Sequence, residues 1–140
     1  MSAVAVDASV WVAAQDSTDP LCAPSRLFIS HALSAGVVLH VPAFALVEVT
    51  CALSRKLRNA ARGQRLSNLI FNTTSAKQHP VNAALLAKAS SIGSASFLRG
   101  ADALYAATAD IAGCNLVSWD NEHIQRARAM RPDDWVIANP

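Results

Sequence analysis

Apolar positions along this chain alternate between two patterns. Ala3-Val4-Ala5-Val6, Val37-Val38-Leu39-His40-Val41 and Leu116-Val117-Ser118-Trp119 are short, nearly unbroken apolar runs of the kind that buried strands give. Between them lie longer stretches with helical spacing. Residues 8–15 predict a short helix and Gln15 to Pro20 a polar loop. Residues 24–35 predict a second helix, with Pro24 suited to its first turn and Gly36 to a left-handed cap. From Pro42 a long helix is expected to reach about Ala61, closed by Gly63, with another short helix over 64–72. His79-Pro80 then breaks the chain, and Asn82 is placed to cap a helix ending at Ile92. Gly93 and Gly100 bracket an expected loop, and a helix over 101–112 stops at Gly113. A helix from Asp120 to Met130 and a last strand, Trp135-Val136-Ile137, complete the pattern.

Strands alternating with helices predict an α/β fold with a mostly parallel sheet covered on both sides. With no repeat, low-complexity tract or linker, one domain over residues 1–140 is the simplest organisation. The functional crevice of such a sheet lies beyond the carboxyl ends of its strands. Asp7 and Asp120 stand at two such ends.

Composition sharpens this picture in one respect. Apolar residues make up 52% of the chain and charged residues only 16%, which excludes a disordered tail. With ten acidic residues in all, where each one falls becomes informative. The net charge of +2 says little about a partner. Cys22, Cys51 and Cys114 have neither disulfide nor zinc spacing and are expected to be reduced core thiols. No basic stretch precedes a long apolar run at the start, and no run approaches the roughly eighteen residues of a membrane span. A soluble cytoplasmic protein with no membrane partner is expected.

Four acids stand among apolar or small neighbours: Val-Ala-Val-Asp7, Ala-Leu-Val-Glu48, Arg-Gly-Ala-Asp102 and Val-Ser-Trp-Asp120. Carboxylates so placed are costly to desolvate unless paired or bound to a cation, and crowding them raises the pKa of some. A hard divalent ion such as Mg²⁺ or Mn²⁺ answers both demands and leaves room for phosphate oxygens. Such a site can hydrolyse a phosphodiester. Each acid also has a structural reading. Asp7 and Asp120 can cap the helices that follow, Asp102 can serve a helix dipole, and Glu48 can face solvent.

The ordered set Val4-Ala5-Val6-Asp7-Ala8-Ser9-Val10, Pro42 through Glu48, Arg99-Gly100-Ala101-Asp102-Ala103-Leu104-Tyr105-Ala106-Ala107-Thr108-Ala109 and Leu116-Val117-Ser118-Trp119-Asp120 resembles the PIN-domain ribonucleases. Within that family it is similar to the VapC-type toxins of toxin–antitoxin pairs. The resemblance spans nearly the whole chain and implies a Rossmann-like three-layer sandwich with a Mg²⁺ or Mn²⁺ site. It implies endonucleolytic cleavage of RNA, a homodimer and a neutralising antitoxin protein. Asp7, Glu48, Asp102 and Asp120 match the family's acidic quartet. Ser9 and Ser118 match small polar residues at its border, although Ser118 can equally be a plain strand hydroxyl.

On a continuous helix, Arg55, Arg58 and Arg62 would extend a basic stripe from Glu48, with Leu46, Leu53, Leu57 and Ala60 turned to the core. The stripe suits RNA, a solvated face or an acidic antitoxin segment. Leu27, Phe28, Leu69, Ile70 and Phe71 suit either partner contacts or core packing. His31, His40, His79 and His123 lack metal-ligand spacing and are expected to be structural or exposed. Asp16, Asp19, Asp110, Asp133 and Asp134 are expected to be solvated, and Arg126, Arg128 and Arg131 to be surface charge. Two other classes remain open: a PIN-like module that binds RNA or protein without cutting, and a hydrolase of small phosphates. The second usually carries an Asp two residues after its nucleophilic Asp, where this chain has Ser9.

Overall fold

The central strand β1 (Ala3–Val6) shows why the chain folds as it does. Val4, Ala5 and Val6 are all fully buried, although successive residues point to opposite faces of a sheet. Both faces of β1 are therefore covered. The computed structural model describes residues 2–140. After β1 come α1 (Ala8–Ala14), α2 (Cys22–Ser34), β2 (Val38–Pro42), α3 (Phe44–Leu57), α4 (Ala60–Thr74) and β3 (Lys77–His79). The chain then forms α5 (Ala83–Ser96), α6 (Gly100–Ala112), β4 (Asn115–Val117), α7 (Asn121–Arg126) and α8 (Pro132–Ala138).

The strands lie in the order β3-β2-β1-β4 and all pairs are parallel, with helices flanking the sheet. The chain builds outward from β1 through β2 to β3, then returns to place β4 on the other side of β1. That reversal makes the carboxyl ends of β1 and β4 a topological switch point, where α/β sheets open a crevice. The main core holds Trp11, Phe28, Leu39, Leu53 and Tyr105, and Trp135 meets Phe28 edge-on at 5.2 Å. A smaller cluster of Leu85, Ala89, Ala103 and Ala107 joins α5 to α6.

Several expected elements differ. Trp135-Val136-Ile137 is not a strand but part of α8. Pro132 occupies the first turn with Asp133 and Asp134 beside it, a combination that favours a helix start, and only Trp135 of the three is fully buried. At that sheet edge a single bridge from Met130 to Val117 stands instead, so the expected helix from Asp120 to Met130 ends at Arg126. β3 replaces a plain chain break, and there His40 Nδ1 and His79 Nε2 lie 2.8 Å apart. Burial holds both imidazoles below their ordinary pKa, with Lys77 adding to the effect. Of the three cysteines, all free, Cys22 is buried and Cys51 is exposed.

The expected long helix from Pro42 is two helices. Arg58 turns left-handed at φ 54° and ends α3, and the Asn59 side chain accepts from the Arg62 N–H to start α4. Gly63 lies inside α4, not at a helix end. Likewise Gly93 lies inside α5, and the loop expected from there to Gly100 is shortened to residues 97–99. Both glycines mark helix crossings. A Cβ at Gly63 would stand 2.7 Å from Ser54 N and 2.8 Å from Ser54 Cα, backbone that cannot swing aside. Overpacking of this kind outweighs the helix propensity that alanine adds. Gly63→Ala is expected to lower stability by about 1–2 kcal/mol, read as a lower urea midpoint; an unchanged midpoint would show that α3 and α4 part freely.

Candidate active site

Asp7 follows β1 directly and caps α1, accepting from the Ser9 N–H at 3.2 Å. Glu48 projects from the middle of α3 and accepts from the Tyr105 hydroxyl at 2.6 Å. Asp102 lies in the first turn of α6, at the positive end of the helix dipole. Asp120 caps α7 and accepts from the Glu122 N–H at 2.8 Å. The caps read from the sequence are thus real at Asp7 and Asp120, and each uses only one carboxylate oxygen. All four acids line one cleft of about 590 Å³, at the switch point of the sheet.

Ser9 and Ser118 tie the ends of β1 and β4 together. The fully buried Ser118 hydroxyl donates to Asp7 Oδ2 at 3.0 Å and accepts from the Asp120 N–H at 2.9 Å. Ser9 Oγ accepts from the Trp119 N–H at 3.1 Å and lies 3.4 Å from Ser118 Oγ. One proton arrangement satisfies the set: Ser9 donates to Ser118, and Ser118 donates to Asp7. Two neighbouring acids, one on each strand end, are thereby held by a single hydroxyl.

Three residues at the cleft carry no role in the sequence reading. His123, expected to be structural or exposed, is fully buried between two of the acids. Its Nε2 stands 3.1 Å from Asp102 Oδ1 and its Nδ1 3.6 Å from Asp7 Oδ1, yet neither nitrogen makes a hydrogen bond of good geometry. Arg99 stands at the mouth, with Nε 3.0 Å from Asp102 Oδ2 and Nη2 3.4 Å from Asp120 Oδ2. Tyr105 orients Glu48. A signal for all three was present: each lies three residues from an acid of the quartet, on the same helical side.

Asp16 and Asp19 are not solvated. Asp16 is buried, accepts from the N–H and hydroxyl of Thr18, and pairs with Lys56 at 3.1 Å. Asp19 also pairs with Lys56 and borders the cleft, so the loop before α2 is pinned to α3. These bonds hold both carboxyls below the ordinary range. Arg55, Arg58 and Arg62 do not share one helix, because the chain turns at Arg58. They are exposed around the α3–α4 turn instead, and among the described residues none forms an ion pair. Phe28 and Phe71 belong to the core, whereas Leu27 and Leu69 are exposed.

The donor set suits a hard cation: four carboxylates, with no sulfur lining the cleft. As they stand, however, no three His, Cys, Asp or Glu side chains among the described residues are grouped to hold an ion. Tyr105, Ser118 and Arg99 each hold an oxygen that such a group would use.

Burial raises the Glu48 pKa; the Tyr105 hydrogen bond opposes the rise, and the charges of Asp7 and Asp102 add to it. Burial beside Glu48 pushes the Tyr105 phenol far up, so it stays a donor. A carboxyl whose pKa is higher folded than unfolded binds its proton more tightly in the native state. Its contribution to stability is present below the ordinary value of 4.5 and is lost as pH rises through the folded value. Glu48→Gln keeps an acceptor for Tyr105 without the charge. In metal-free buffer the variant is expected to melt with wild type near pH 4.5 and above it near pH 8. Melting curves that stay superimposed at both pH values would remove the burdened carboxylate.

The family model for the PIN domain matches residues 4–129. A search of curated proteins found no match. Among solved structures, PAE2754 from Pyrobaculum aerophilum superposes with a TM-score of 0.72 at 21% identity, covering 98% of this chain and 88% of that one. VapC20 from Mycobacterium tuberculosis, described as a Sarcin-Ricin loop cleaving toxin, gives 0.69 at 20% identity, covering 87% and 94%. VapBC2 from Rickettsia felis, bound to a DNA fragment from their promoter, gives 0.70 at 12% identity, covering 92% and 96%. Identities this low speak for the fold, while the family model reaches from β1 past the last residue of α7. The chain belongs to the PIN-domain family.

Proposed function

We propose that this protein is a divalent-metal-dependent endoribonuclease and the toxin of a toxin–antitoxin pair. The observation that carries the reading is the convergence of Asp7, Glu48, Asp102 and Asp120, from four separate elements, in one cleft of a PIN domain. The fold shared with a Sarcin-Ricin loop cleaving toxin and with a VapBC complex supports the toxin role.

In this reading the four acids hold Mg²⁺ or Mn²⁺. When bound, such a cation supplies Lewis-acid charge to a phosphodiester and acidifies water at neutral pH. The chain's own residues prepare for that charge. Ser118 and the Ser9 N–H orient Asp7, Tyr105 orients Glu48, and the α7 cap orients Asp120. Asp102 is carried on the first turn of α6, at the positive end of that helix's dipole. Trp119, its indole N–H fixed on Ser25 Oγ at 2.8 Å, forms part of the wall. Ser9 stands where a small-phosphate hydrolase would need a second carboxylate, and its hydroxyl is already engaged with Trp119.

RNA beyond the scissile phosphate meets Arg55, Arg58 and Arg62 around the α3–α4 turn. Arg55 lies seven residues along α3 from Glu48, about 10 Å away. A cognate antitoxin and a second copy of the chain are the protein partners, with exposed Leu27 and Leu69 as apolar contacts.

Two measurements test this function. Wild type is expected to cleave structured RNA with Mg²⁺ or Mn²⁺ and to stop in EDTA. Asp7→Asn, which keeps the helix cap, should lose at least about a hundred-fold in rate. RNA bound equally well in EDTA and never cut would favour the non-catalytic binding module. Replacing Arg55, Arg58 and Arg62 with Gln should weaken RNA binding and flatten its salt dependence, by about 2 in the log–log slope if all three meet phosphates of a single strand. An unaltered slope would move the RNA path to another surface.

A further inference from the structure

Arg99 occupies the oxygens that a cation would need. It is the residue that starts α6, but its side chain makes no cap there, and it is 70% exposed. Its position in the cleft is set by its ion pairs with Asp102 and Asp120. The identity of the contacted oxygens matters. Asp102 turns Oδ1 toward His123, and Asp120 commits Oδ1 to the Glu122 N–H. The Oδ2 of each remains, and Arg99 takes both, one with Nε and one with Nη2.

We propose that Arg99 is a two-position residue of the active site: it neutralises Asp102 and Asp120 in the metal-free protein and passes to an RNA phosphate when a divalent cation takes their oxygens. The inference rests on the nuclease reading and assigns that site a substrate-binding residue. Three properties support it. Exposed ion pairs of this kind are weak and exchange readily. A guanidinium stays charged at every relevant pH, so it must move when a second cation arrives. The same fork that spans two carboxylates fits the paired oxygens of a phosphate, and Arg99 borders the acidic cleft itself. Arg55, Arg58 and Arg62, by contrast, lie outside the cleft lining.

Metal uptake and RNA binding should therefore respond to Arg99 in opposite directions. Mn²⁺ is titrated calorimetrically into wild type, Arg99→Gln and Arg99→Lys without RNA, with melting temperatures as the folding check. Arg99→Gln is expected to bind Mn²⁺ about 3- to 10-fold more tightly, because the internal competitor is gone. At saturating Mn²⁺ the same variant is expected to raise KM for RNA about ten-fold with a much smaller change in kcat, the mark of lost substrate binding. Arg99→Lys, with a single ammonium in place of the fork, should fall between the two in both measurements. Unchanged or weaker Mn²⁺ binding by Arg99→Gln, beside a wild type that does bind Mn²⁺, would overturn this inference and leave the nuclease reading standing. A loss of kcat at constant KM would also overturn it. Wild type that takes up no Mn²⁺ would bring down the metal site and this inference together.

Discussion

The four acids of the quartet share one cleft, and their mutual repulsion is the constraint to which the surrounding structure answers. Each acid is met by a group that tolerates or offsets its charge. Asp7 has a buried hydroxyl and a backbone N–H, Glu48 a phenol, Asp102 a helix start and Asp120 a helix cap. Arg99 lies across the opening, and His123 lies deep between Asp7 and Asp102. Such an arrangement is poised toward an added positive charge. Burial lifts the pKa of Glu48 first, and the charges of Asp7 and Asp102 add to the rise.

The sheet delivers these groups to one place by topology alone. Because β4 returns to the far side of β1, the chain leaves both strands at neighbouring points and starts a helix after each. Two helix starts and a buried serine between them follow from that single reversal. The remaining acids arrive on α3 and α6. α3 crosses α4 at Gly63, and α6 crosses α5 at Gly93, each too closely to leave room for a Cβ.

Much of this was legible in the residues, for identifiable reasons. The runs at Ala3–Val6 and Val38–Pro42 are apolar but for His40 because both faces of a parallel sheet are buried. The acids stood out because their neighbours are apolar while the chain has few charges. Lys77-Gln78-His79 gave no such signal, since an edge strand exposes its side chains. Gly63 and Gly93 misled because a glycine that ends a helix and one that lets two helices touch look alike in a sequence. Trp135-Val136-Ile137 has strand-like composition, but Pro132 and two acids just before it decide for a helix. Arg99, Tyr105 and His123 were harder, because the roles of Tyr105 and His123, and half of that of Arg99, depend on a partner from another element. Their spacing from the quartet becomes a signal only once that helical face is known to point at the cleft.

Gly93 has a reach beyond its own helix. A side chain there would meet the Ala103 methyl at 2.8 Å, and Ala103 is the residue after Asp102. One uncharged methyl group on α5, a helix that carries none of the four acids, would press on the backbone step that carries one of them. The space beside Asp102 is thus bounded by a position that has no chemistry of its own, and a comparison limited to polar residues would overlook it.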